Sequence, residues 1–388
     1  MALVATCLGF PCLGAGRALE KALAAYGAGQ ITGETLREVG RSLRARHWSA
    51  MKAAGLCEVP TNDFSFCDRM LDTAVMVGAT PARYATIADP LARTFAMAHG
   101  LRSPTAGTGL PALAKANWFD TDCRHVVPEL QEKQTFHLDA DRIFSEIEEA
   151  RALGLEPRPA LVGPVTFLKL STLAPGAPAR ASTLNVIDRL IGMYEQLLDM
   201  LDTRGVSWVQ LDEPYLVMDL DGHCREAYRR TFDRLTFSRK RPRLMLTTYF
   251  GALGPNLAQA LRLGCEGLHV DLSSAPDQLD AVLADLPATT VLSVGVVDGR
   301  HVGPTDFDAA LAAVSKAVAR LGRDRVRVAS SCSLLHLPAN RAAESTLEPS
   351  LAIASQKLKE LVGLAVAADH PANAHARHVP RLTDAEPL

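Results

Sequence analysis

The chain has 388 residues, 48% hydrophobic and 22% charged, enough to bury a sizeable core as one large α/β domain or two smaller ones. Its 41 basic and 43 acidic residues give a formal net charge of −2 and are spread along the chain, so no basic face is offered to nucleic acid or anionic lipid. Small molecules and proteins are the partners this leaves.

From the N-terminus, Met1 to Phe10 is apolar but has no basic flank, and Pro11 and Gly14 interrupt it before signal-peptide or membrane-spanning length. It predicts a buried strand in a cytoplasmic protein. The cysteines (Cys7, Cys12, Cys57, Cys67, Cys123, Cys224, Cys265, Cys332) form no C-x-x-C pair and no Cys/His box, which predicts reduced, mostly buried thiols. Short apolar runs rich in β-branched residues recur near 3–9, 56–61, 159–163, 206–211, 244–249, 267–271, 290–296 and 326–331. Eight such runs alternating with helices predict a parallel (β/α)8 barrel of the TIM type.

Between the runs the helical period is clear. Ile187, Leu190, Ile191, Tyr194, Leu197, Leu198 and Leu201 make one stripe in 185–203, and a second helix is predicted from the N-cap Asp306 through Leu321 to Gly322. The stretch from about 64 to 155 is too long for a βα loop and is expected as a mostly helical insertion, with a Gly/Pro/Thr loop at Ser103–Pro111. Residues 1–368 are expected as a single domain. Residues 369–388 lose all periodicity and are expected as a flexible tail.

Several long segments carry a resemblance. They include Leu8-Gly-Phe-Pro11, Leu43-Arg-Ala-Arg-His-Trp48, Trp118-Phe-Asp-Thr121, Leu161-Val-Gly-Pro-Val-Thr-Phe-Leu-Lys169, Trp208-Val-Gln-Leu-Asp-Glu-Pro214, Gly267-Leu-His-Val-Asp-Leu272, Leu292-Ser-Val-Gly-Val-Val-Asp-Gly-Arg300 and Ser331-Cys-Ser-Leu-Leu-His336. In this order they resemble the N-terminal half of cobalamin-independent methionine synthase, over roughly the first 365 residues. That family pairs two (β/α)8 barrels: the C-terminal one holds zinc and methylates homocysteine from 5-methyltetrahydropteroyl-polyglutamate, and the N-terminal one helps hold the polyglutamate tail. The resemblance implies a docking or folate-tail-binding half in methionine biosynthesis, without zinc or other cofactor of its own, acting beside a separate C-terminal methionine-synthase-type chain. It carries ligand binding onto Arg17, Asn117 and Trp118. The rival reading is a stand-alone enzyme of the same superfamily turned to another small thiol or folate-related substrate.

Functional groups of such barrels sit at the C-terminal strand ends, which here offer Asp212, Glu213, Tyr249, His269, Asp271, Asp298 and Cys332. Strand alternation puts His269 and Asp271 on one side, whereas the adjacent Asp212 and Glu213 face opposite ways and cannot flank one bond. A His, a thiol and carboxylates are acceptable zinc ligands. The fifth strand, Leu246-Thr-Thr-Tyr-Phe-Gly251, lacks the His and Cys that the catalytic half of the family carries there, so no metal is expected. Around the tail site, Cys12, Glu20 and Asn117 replace basic residues usual in the family. This shifts the local charge by about four units (one, two and one), against roughly 1 kcal/mol for one exposed pair.

Overall fold

The computed structural model describes residues 3–12, 14–101, 109–338 and 349–369. In chain order it contains β1 (Val4–Thr6), α1 (Ala18–Gly27), α2 (Gly33–Ala54), β2 (Glu58–Thr61), α3 (Arg69–Met76), α4 (Pro90–His99), β3 (Lys115–Asn117), β4 (Arg124–Val126), β5 (Glu129–Leu130) and α5 (Asp141–Ala152). There follow β6 (Glu156–Val162), α6 (Pro164–Lys169), β7 (Thr172–Leu173), α7 (Ile187–Thr203), β8 (Trp208–Asp212), α8 (Gly222–Phe237), β9 (Arg243–Thr247) and α9 (Leu257–Ala260). The last described elements are β10 (Gly267–Asp271), α10 (Gln278–Asp285), β11 (Val291–Val297), α11 (Phe307–Leu321), β12 (Val326–Ser330) and α12 (Pro349–Asp369).

Eight strands form one sheet in the order β1-β12-β11-β10-β9-β8-β6-β2, every neighbouring pair parallel. They are the eight apolar runs of the sequence, buried on both faces by helices outside and by one another inside. The fold is an α/β barrel, nearly closed. Edge strands β1 and β2 share no ladder among the described residues and meet through side chains instead. Thr6 Oγ1 donates to Glu58 Oε1 at 3.4 Å, Phe10 N donates to Asp63 Oδ2 at 2.9 Å, and the buried Arg158 guanidinium donates to the Cys7 carbonyl.

The covering helices follow their periods. All seven stripe residues of α7 are buried, a gross stabilisation of roughly 10–20 kcal/mol before the opposing chain entropy. In α11 the Asp306 side chain accepts from Ala309 N at 3.1 Å, and Gly322 ends the helix at φ 83°.

Between β2 and β6 the expectation of a mostly helical stretch from 64 to 155 needs correction. α5 packs on β2 and β6 as an ordinary barrel helix, so the insertion is shorter. It holds two short helices, α3 and α4, an antiparallel hairpin of β3 and β4, and β5, which pairs with β7. Strands of two or three residues are too short to show a period. The insertion has its own small core around Leu71, Tyr84, Met97 and Val126. Most of the Ser103–Pro111 loop, and the tail beyond Asp369, lie outside the described residues. No helix among the described residues is long and apolar enough to cross a membrane.

Candidate functional site

Asp212 ends β8 and turns into the barrel, where it accepts from Arg69 Nη1 at 2.6 Å and from Gln210 Nε2 at 2.7 Å. Arg69 comes from the insertion, at the first turn of α3. Sequence reading passed over it, although a cation at a helix N-terminus opposes the macrodipole and signals a carboxylate partner elsewhere. Glu213, read as a mouth group in the following loop, is instead fully buried behind the strand. It accepts from Val165 N (3.0 Å), Thr166 N (2.8 Å), Thr166 Oγ1 (2.6 Å) and the Tyr228 hydroxyl (3.0 Å). It thus caps α6, while burial pushes its carboxyl up to about 7.

His269 and Asp271 share the inner face of β10. The His269 ring is buried, with Nδ1 2.9 Å from Ser293 Oγ and Nε2 3.1 Å from Ser331 O. A carbonyl only accepts, so Nε2 carries the proton and Nδ1 receives the Ser293 hydroxyl. Burial holds this imidazole down to about 4. Asp271 accepts three backbone N–H groups, from Phe250 (3.0 Å), Ser273 (3.0 Å) and Ser274 (2.9 Å), against burial that raises its pKa. Cys332 is buried, its thiol pushed upward by burial and then by Asp271, and Sγ lies 3.6 Å from Ser333 O. Burial, then Asp212, also raises the Tyr249 hydroxyl. Asp298 is half-buried in the turn after β11, next to Gly299, which packs against Cys332. Burial would raise it, but the N–H groups of Arg300 (2.7 Å) and His301 (3.2 Å) and the His301 ring (2.7 Å) hold it below its ordinary value.

The structure therefore gathers Asp212, Tyr249, Asp271 and Cys332 at one end of the barrel together with Arg69 and His336. Both His269 nitrogens are already engaged, and Asp271 is taken by amides. These residues do not fit a zinc ion, and among the described residues no three His, Cys, Asp or Glu side chains converge as ligands.

On the tail side, Arg17 is exposed in left-handed backbone (φ 60°) and ion-paired with Glu20 of its own helix. The residue that reverses a family charge therefore also engages the arginine that remains. Asn117 is exposed at the end of β3, next to the buried Trp118. Among the described residues no hydrogen bond or ion pair links Arg17 to Asn117. α1 packs on α2, whereas the hairpin packs on α3.

The family model described as the cobalamin-independent synthase, N-terminal domain, matches residues 4–322. A 5-methyltetrahydropteroyltriglutamate–homocysteine methyltransferase of Xylella fastidiosa (strain 9a5c) is 45% identical over 373 residues, which is 95% of this chain and 48% of that protein. The protein of the same name from Caulobacter vibrioides is 44% identical over 387 residues, with 95% and 49% covered. The chain thus spans about half the length of the curated relatives it matches. A B12-independent methionine synthase from Shewanella sp. W3-18-1, solved with selenomethionine, superposes with a TM-score of 0.68 at 11% identity, covering 96% of this chain and all of that one. That identity speaks for the fold alone.

Proposed function

This chain belongs to the family of the cobalamin-independent synthase N-terminal domain, and from that membership we propose that its barrel is a binding and docking half in methionine biosynthesis, not the centre where the methyl group moves. The observation that carries this reading is that three of the candidate groups are used internally: His269, Asp271 and Glu213 are each committed to hydrogen bonds within the chain. Transfer to a thiol needs a thiolate, and metal coordination or a neighbouring cation is what lowers a thiol pKa. The partner in this proposal is a zinc-bearing, C-terminal-type barrel on a separate chain, and the ligand is the folate tail. A cytoplasmic setting belongs to the same proposal, since eight unpaired thiols suit a reducing compartment.

Purified protein should contain no stoichiometric zinc and should not methylate homocysteine from 5-methyltetrahydrofolate. Elemental analysis and a product assay check both. One zinc per chain, or turnover abolished by Cys332→Ser, would move the chemistry into this barrel.

The tail site makes a separate prediction. Glu20→Lys/Asn117→Lys releases Arg17 from its pair and adds two cations, so affinity for folate triglutamate should rise while monoglutamate binding barely changes. Exposed charges are screened over about 8 Å at physiological ionic strength, so the gain should shrink with salt. Calorimetric titration of both ligands at low and high salt makes the comparison, and an equal gain for both would show that these positions do not face the tail.

A further inference from the structure

The end of the barrel that holds Asp212 keeps several buried polar atoms without partners. Arg69 gives Nη1 to Asp212 at 2.6 Å, and its Nη2 is buried without an acceptor. Trp118, 7% exposed, turns its indole N–H toward the Tyr249 hydroxyl without reaching hydrogen-bond geometry. His336 Nδ1 is also buried and unpaired. Unpaired polar atoms are uncommon in protein interiors and ask for a partner.

Two phenylalanines lie beside these groups. Phe119 and Phe250 have φ of 53° and 75°, a region that bulky side chains avoid. Their ring centroids are 5.9 Å apart. Phe119 touches Trp118 at 5.2 Å, and Phe250 touches Tyr249 at 4.6 Å and His336 at 5.1 Å. Both turns are tied down: Thr121 N donates to Trp118 O at 3.1 Å and Phe250 N to Asp271 Oδ2 at 3.0 Å. Backbone strain kept twice at one place is how binding sites store it.

We propose that this end of the barrel binds a small aromatic carboxylate, with Arg69 Nη2 and Trp118 Nε1 donating to the carboxylate and Phe119 and Phe250 parting to hold the ring. Arg69 Nη2 and Trp118 Nε1 are N–H donors and one is cationic, which selects an anionic acceptor. Flat walls of Trp118, Phe119, Tyr249 and Phe250 select a ring. Lys169, 5.2 Å from the Tyr215 ring, puts positive charge at the rim, where it draws anions in, and Arg300, 5.0 Å over Phe250, is paired there with Asp120 at 3.2 Å. The site shares Trp118 with the ligand residues that the resemblance implies but uses neither Arg17 nor Asn117, so benzoate binding is read apart from the triglutamate titration.

The probe is benzoate, titrated calorimetrically into the full chain, with benzamide as the neutral isostere and acetate as the ringless one. Benzoate should bind saturably, and benzamide and acetate should each bind about tenfold or more weaker, the scale of a hydrogen bond to a charged group. Arg69→Gln should lose about as much. That variant leaves the buried Asp212 without its cation and can misfold, so Trp118→Phe, which keeps a ring and removes the indole N–H, is the second test and should also weaken benzoate. In Phe250→Gly the backbone suits glycine, and stopped-flow association should be faster. No saturable binding of benzoate to wild type or Phe250→Gly, benzamide binding as tightly as benzoate, or full affinity in Trp118→Phe would each overturn the proposal.

Discussion

Gly163→Ala should destabilise the protein by about 3 kcal/mol or more, the cost of overpacking together with broken buried hydrogen bonds. The backbone is not the reason, because φ −68° and ψ 153° suit any residue. A Cβ there would fall 2.3 Å from Glu213 Cδ and Oε1, far inside van der Waals contact. Glu213 has nowhere to retreat. If it moves, Val165 N and Thr166 N at the start of α6 and the Tyr228 hydroxyl lose their acceptor in the interior. The control is Gly192→Ala within α7, where an added Cβ meets nothing within 4 Å and helix propensity favours alanine by up to ~1 kcal/mol. Urea midpoints at unchanged slope should fall for the first and hold or rise for the second. An unshifted Gly163→Ala would mean that Glu213 is not the rigid cap described.

Acid should weaken the fold through His269. Its folded pKa of about 4 lies below the ordinary 6.5, so the unfolded chain takes the proton first. The stability it contributes is present above pH 6.5 and lost as pH falls toward 4, on the order of 3 kcal/mol. Burial is the main cause and the Arg158 guanidinium adds in the same direction. His336, pushed to about 3 chiefly by burial, behaves alike. Asp63 and Glu213, both raised to about 7 by burial, act oppositely: their contribution is present below the ordinary carboxyl range and lost as pH rises through 7. The two limbs overlap, so the decisive quantity is the difference between wild type and His269→Gln. Wild type should lose about 3 kcal/mol relative to the variant between pH 6.5 and 4, read from denaturant unfolding across that range. Parallel curves would show that His269 takes its proton without cost.

The local periods of the sequence by themselves determined the barrel. Val291–Val297 and Trp208–Asp212 are apolar runs of strand length, and the α7 stripe and the Asp306 and Gly322 caps of α11 are written in consecutive residues. Such signals need no knowledge of distant chain, and alternation likewise placed His269 and Asp271 together on one face. The partners of those side chains were decided only by closure of the sheet. Arg69 meets Asp212 across 143 positions and Thr166 meets Glu213 across 47, and Phe119 of the insertion meets Phe250 after β9. A side chain's burial and its hydrogen bonds depend on which strands become neighbours. Periodicity carries no information about that, and so the internal hydrogen bonds of Glu213 and His269, candidates for chemistry in the sequence, are seen only in the fold.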